Sequence, residues 1–206
     1  MPEDELRAMV AGEQQELADL LRQLTTDQWA MPSLCAKWTV HDAAVHVAIH
    51  CHTTDRERSW RLLRVGFDDR KMRRTEQAWP KEQLIGYLES PAMLTGERNM
   101  RTQLAELILH QQDIRRPLGA TRVVASDRLA VALDFGTTRV GGLAVAGAFR
   151  RGRGLRLVAT DLPWSSGEGP EVRGPGEALL MALNGRRDAV GDLDGPGAAT
   201  LATRLK

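Results

Sequence analysis

The sequence predicts a mainly α protein in which a helical bundle over residues 1–150 is followed by a small α+β C-terminal domain over 151–206. Apolar residues recur at helical spacing through the first two thirds of the chain. Past Phe149 the texture changes to Gly/Arg-rich turns and short alternating runs. The length of 206 residues suits one large domain or a modest pair.

The first helix is expected over 5–24, where Leu6, Met9, Val10, Leu17, Leu20, Leu21 and Leu24 fall largely on one stripe. Thr25, Thr26 and Asp27 end it, because their side chains compete for the backbone. Residues 29–38, with Pro32 and Ser33, read as a loop. Thr39 and Asp42 stand at capping-box spacing, with Asp in place of the usual Glu or Gln, and open a second helix to about residue 65. Residues 68–80 are charged and irregular, a connecting loop. A third helix covers 81–88, and a fourth covers 99–115, ended by Pro117 and Gly119. A fifth begins near Ser126 and Asp127, with an end blurred by Gly141 and Gly142. Residues 150–154 form a Gly/Arg loop and 155–160 alternate as a strand. Turn residues crowd 163–170, and 171–173 are extended. Pro175 opens a short helix to 183, Ala189, Val190 and Leu193 add a last strand, and 197–205 form a terminal helix.

Composition narrows the function. The chain is 42% apolar and 27% charged, as soluble globular proteins are. Lys+Arg 28 against Asp+Glu 27 leaves a formal charge of +1, which provides no field for gathering a polyanion, so nucleic acid is excluded as a partner. Aromatics at 4% are too few for a base-stacking platform. The longest apolar stretches, such as 143–149, fall far short of the roughly 20 residues a membrane span needs. The opening MPEDELRAMV is acidic and lacks the apolar core of a secretory signal, so a cytoplasmic protein is expected. Cys35 and Cys51 are too few for a disulfide scaffold or a four-thiolate zinc site. Neither lies in a motif that would activate it, and both are read as packing residues. Trp29, Trp38, Trp60, Trp79 and Trp164 are read as packing the bundle rather than binding a ligand, except that Trp38, just before the second helix, is placed to do both. The basic run 70–74 is a solvated loop.

The histidines carry the chemical signal. Four of five, His41, His46, His50 and His52, sit in or beside the second helix, and His46 and His50 share a face. On the fourth helix Glu106 and His110 are four apart, with Asp113 three further on. Two ligands at i and i+4 can hold one metal ion, because both project over the same turn. A third from a facing helix would leave a coordination position open, as catalytic zinc requires. Ordinary exposed Glu/His pairs share this spacing, so the pattern alone leaves both readings open. The di-iron Glu-x-x-His pattern and the His-Glu-x-x-His protease motif are absent. A two-His, one-carboxylate iron site has the right ligand types but is not usually built on a helical bundle.

The stretches Leu24-Thr-Thr-Asp-Gln-Trp29 and Pro32-Ser-Leu-Cys-Ala-Lys-Trp-Thr-Val-His-Asp42, with His46, resemble the N-terminal domain of the mycothiol-dependent maleylpyruvate isomerase family. That domain is a DinB-like four-helix bundle. Glu106-Leu-Ile-Leu-His110-Gln-Gln-Asp113-Ile-Arg-Arg-Pro-Leu-Gly119 is similar to the family's second motif. Val158–Asp161, Gly174-Pro-Gly-Glu-Ala-Leu-Leu180 and Gly185-Arg-Arg187 resemble its small sterol-carrier-like companion domain.

The resemblance implies zinc held by His46, Glu106 and His110, with His50 as the rival ligand, and mycothiol as thiol cofactor. It places Arg186 or Arg187 as the catalytic arginine, the Gly-Arg-Arg pair leaving the choice open. Asp113 either orients His110 or caps toward solvent, the latter slightly favoured. The implied chemistry is addition of a zinc-activated thiolate to a small electrophilic substrate, followed by isomerisation or retained as thiol transfer. The partners are then a small-molecule thiol and a small electrophile, in a monomer or homodimer. The alternative is a non-catalytic DinB-like module that binds metal or regulates.

Overall fold

The computed structural model describes residues 1–52, 79–91, 95–139, 141 and 147–205. Among them the chain is mainly helical, with one three-stranded sheet. The expected course of the second helix beyond residue 52, Trp60, the basic run 70–74 and most of the stretches 68–80 and 143–149 lie outside the described residues. Two compact units divide the chain: Met1–Gln103 with His110–Thr121, and Leu104–Leu109 with Arg122–Lys206. The sequence boundary at 150 does not coincide with this division.

In the first unit, α1 (Glu3–Gln23) begins with Glu3, Asp4 and Glu5 and ends near Arg22, charges that complement the helix dipole. Its core stripe is Leu6, Met9, Val10, Leu17 and Leu21, each 7% exposed or less. Glu13 is buried on the same helix, where an unpaired carboxylate would be costly. Gln111 satisfies it, its Nε2 donating to Glu13 Oε2 at 2.7 Å and to Glu13 O at 3.0 Å. Arg115 adds a bond from Nη2 to Glu16 O at 3.1 Å.

Thr25–Asp27 do end α1, and they also start α2 (Thr26–Ala30). Thr25 and Gln28 form a reciprocal capping box there, a signal hidden behind the helix stop. The expected Thr39–Asp42 box opens α3 (Val40–His52): Asp42 Oδ2 accepts from Thr39 N and Oγ1 at 2.9 Å each, and Asp42 N donates to Thr39 Oγ1. Buried Ala43, Ala44 and Ala48 keep one side of α3 slim. α4 (Lys81–Glu89) buries Leu84 and Leu88 and packs on both α1 and α3. α5 (Glu97–Arg115) runs as one continuous helix. It ends as predicted, Gly119 taking φ 65° while Ala120 N returns to Arg115 O.

The second unit contains α6 (Ser126–Thr137), a single turn α7 (Ala148–Gly152), β1 (Arg156–Ala159), β2 (Ser165–Ser166), β3 (Glu171–Gly174), α8 (Gly176–Leu183) and α9 (Ala198–Thr203). The strand order is β2-β1-β3, with β1 antiparallel to β2 and parallel to β3. α8 is buried along Ala178–Leu183 and packs on α6. Its start is tight: a Cβ on Gly176 would lie 2.6 Å from Leu162 Cδ2 and 3.0 Å from Leu129 Cδ2. Asp161 Oδ1 caps this end, accepting from Gly176 N at 2.8 Å.

Two local expectations are corrected. The predicted Gly/Arg loop at 150–154 begins inside α7, because Gly147 at φ 80° lets a helical turn start there. The predicted strand around Ala189, Val190 and Leu193 is instead a 3-10 turn, Arg187–Asp192. Gly191 and Asp192 are poor strand formers, and Ala189 is fully buried within the turn. Just past the turn, Asp194 pairs with the sheet, exchanging backbone bonds with Arg173.

Candidate metal centre

The site is built from a tight loop and two helices. Loop 31–39 closes on itself: Ser33 N donates to Trp38 O at 2.9 Å, Trp38 N to Cys35 O at 3.0 Å, and Val40 N to Met31 O at 2.8 Å. Lys37 pays for the sharp reversal with φ 69°, a left-handed conformation unusual for a residue with a Cβ. Leu34 N then donates to Asp113 O at 3.0 Å, docking the loop on the last turns of α5.

His46 on α3 and Glu106 and His110 on α5 offer ligand atoms that all lie within 4.8 Å of one another. His110 is buried, while His46 and Glu106 are half-buried. Asp113, fully buried one turn past His110, accepts from its Nδ1 at 2.9 Å. A carboxylate on Nδ1 fixes the tautomer and leaves Nε2 as the ring's ligand atom. The structure therefore corrects the slight preference for Asp113 as a solvent cap: its carboxylate points inward to His110.

Rings pack around these donors. The Trp38 and His110 rings stack at 6.0 Å with 14° between planes, and the His46 ring lies 4.9 Å from Trp38 and 4.7 Å from His110. His50 lies 4.4 Å from His46, ring to ring, but among the described residues it belongs to neither group of three clustered metal-type donors. His41 turns away, its Nε2 3.2 Å from Trp79 O.

The second such group is Cys35, His110 and Asp113. Cys35 Sγ–H donates to Asp113 Oδ2 at 3.0 Å, with Sγ 3.6 Å from His110 Nδ1. Sequence reasoning set Cys35 aside as packing. Its only signal was membership of the loop preceding the His46 helix. Cys51 does behave as a buried thiol: burial pushes its pKa from 9.0 up to about 12, with Gln103 and Gln14 pulling weakly the other way.

Arg186 and Arg187 are described within the second unit. Arg186 Nη1 donates to Asn184 O at 2.8 Å, and Arg187 Nε donates to Leu205 O at 2.7 Å. Trp164, also there, is buried with its Nε1 donating to Asp134 Oδ1 at 2.7 Å.

Two imidazoles and a carboxylate brought together from two helices could hold one metal ion, and their number and type suit a three-ligand zinc site. Residues 10–87, 78 of 206, match the family model for the mycothiol maleylpyruvate isomerase N-terminal domain. A crystal structure of a histidine-to-alanine mutant of the mycothiol-dependent maleylpyruvate isomerase shares the fold: TM-score 0.54, 10% identity, 96% of this chain and 94% of that one covered. A second crystal structure of that isomerase aligns over the same shares at TM-score 0.49 and 10% identity. A search of curated proteins returned no match.

Proposed function

We propose that the chain is a zinc- and mycothiol-dependent enzyme acting on a small electrophilic substrate. The observation that carries this reading is the convergence of His46, Glu106 and His110, with the far side of His110 held by a buried carboxylate. Zinc there, when bound, lowers the pKa of a cofactor thiol, so that its sulfur is a nucleophile at neutral pH. The chain's own residues supply the rest. Asp113 holds the His110 proton on Nδ1 and keeps Nε2 aimed at the metal position. Trp38 restricts both histidine rings and shields one side of the site from water. The 34–113 backbone bond keeps loop and helix in register while substrates exchange.

We assign to Arg186 or Arg187 the binding of a substrate carboxylate, for which the planar guanidinium fork is suited. The thiolate adds to an electrophilic carbon and is either expelled after bond rotation, giving isomerisation, or retained, giving thiol transfer. In this reading the partners are small molecules in the cytoplasm, nucleic acid has no part, and the protein works as a monomer or homodimer.

The test is zinc content and mycothiol-dependent turnover of maleylpyruvate and simple alkylating electrophiles. The reading predicts about one zinc per chain and turnover that needs both metal and thiol. Turnover that persists with a metal-free protein would overturn it.

A further inference from the structure

We propose that Cys35, His110 Nδ1 and Asp113 form a second cation site, selective for a thiophilic divalent ion, at the opposite nitrogen of the ring used by the first. The three donor atoms stand 3.6, 3.0 and 2.9 Å apart: sulfur to nitrogen, sulfur to oxygen, and nitrogen to oxygen. In a tetrahedral zinc site, bonds of about 2.3 Å to sulfur and 2.0–2.1 Å to nitrogen or oxygen put donors about 3.3–3.6 Å apart. The trio thus forms one face of such a tetrahedron, with the two oxygen edges needing to open by roughly a few tenths of an ångström.

The donor chemistry selects the ion. One thiolate, one imidazole and one carboxylate favour zinc or cadmium over magnesium or calcium, which take oxygen ligands. Burial supports a closed site: Asp113 is 0% and His110 5% exposed, and Cys35 on the 31–39 loop is half-buried. As the ion binds, the Cys35 S–H and His110 Nδ1–H bonds are replaced by bonds to the metal: the thiol proton leaves to solvent, and the ring proton moves to Nε2 when the first site is empty or leaves to solvent when it is filled, the ring then being an imidazolate. With both sites filled, His110 bridges two cations through its two nitrogens. Filling the second site removes the Nδ1–H bond by which Asp113 orients His110. Excess thiophilic metal therefore alters the first site without competing for His46 or Glu106.

The experiment is a cadmium titration of metal-free protein, read by bound cadmium per chain and by thiolate-to-cadmium absorption in the near ultraviolet. Wild type is expected to bind two equivalents and to develop the absorption. Cys35→Ser, close to isosteric, should retain one equivalent with absorption at background. Cys51→Ala should behave as wild type, because the Cys51 thiol holds its proton to about pH 12. His46→Ala should lose one equivalent yet keep the absorption, which separates this site from the one assigned to catalysis. Wild type without the absorption, or Cys35→Ser that keeps it, overturns the second site. An unchanged cadmium count in His46→Ala counts instead against the catalytic assignment.

Discussion

Asp113 shows how one buried carboxylate organises a site. It accepts from His110 Nδ1 and Cys35 Sγ through the same oxygen, and its backbone carbonyl holds Leu34. Asp113→Asn keeps the shape and removes the charge, so metal affinity at His46, Glu106 and His110 should fall about 10–100-fold in a competition titration. His50→Ala should leave that affinity within a factor of two of wild type. The approach of Glu106 and His110 was legible in the sequence, because i and i+4 on one helix settle a local geometry. The roles of Asp113 and Cys35 were not, since they depend on a loop about 75 residues away docking on α5, as the Cys35–His110 separation shows. The two cysteines give a further check. Cys51 gains a proton affinity on folding that the unfolded chain lacks. The associated stability is whole below pH 9.0 and is lost as pH rises toward about 12. Urea melts from pH 8 to pH 11 should show a decline in wild type that is shallower in Cys51→Ala. At pH 8 a thiol reagent should modify Cys35 in the native protein and reach Cys51 only on unfolding.

Elements behaved according to how local their signals are. α1, α3, α4 and α5 begin or end at capping residues, acidic first turns or glycine stops written within a turn of the boundary. α2 escaped notice because Thr25 both ends one helix and caps the next. The misread strand near Ala189 had the right apolar residues for either state, and burial of that alanine decided for a 3-10 turn. The loop before α3 is where backbone strain collects, at Lys37. Lys37→Gly should stabilise the protein by up to about 1 kcal/mol in chemical denaturation, since glycine adopts that conformation without the steric cost. In the second unit, Gly176→Ala should destabilise by about 1–3 kcal/mol, because Leu162, Leu129 and Leu133 crowd the added methyl. Full stability in that variant would show that the start of α8 is looser than described.

At the scale of the whole molecule, helical periodicity and the change of texture after Phe149 were enough to read a mainly α chain with a small sheet. The division of compact units after Thr121 was not readable, because α6 carries an ordinary amphipathic pattern that does not say which neighbour will cover it. Charge balance sets a weak expectation of its own: with a formal charge of +1, binding to DNA should remain undetectable at moderate salt. No described helix is long and apolar enough to cross a membrane. The central claim is that His46, Glu106 and His110 hold a catalytic zinc ion. Elemental analysis of purified wild-type, His46→Ala and His110→Ala protein tests it most directly. The account predicts about one zinc per wild-type chain and a near-complete loss in each variant. One zinc retained in both variants would contradict it.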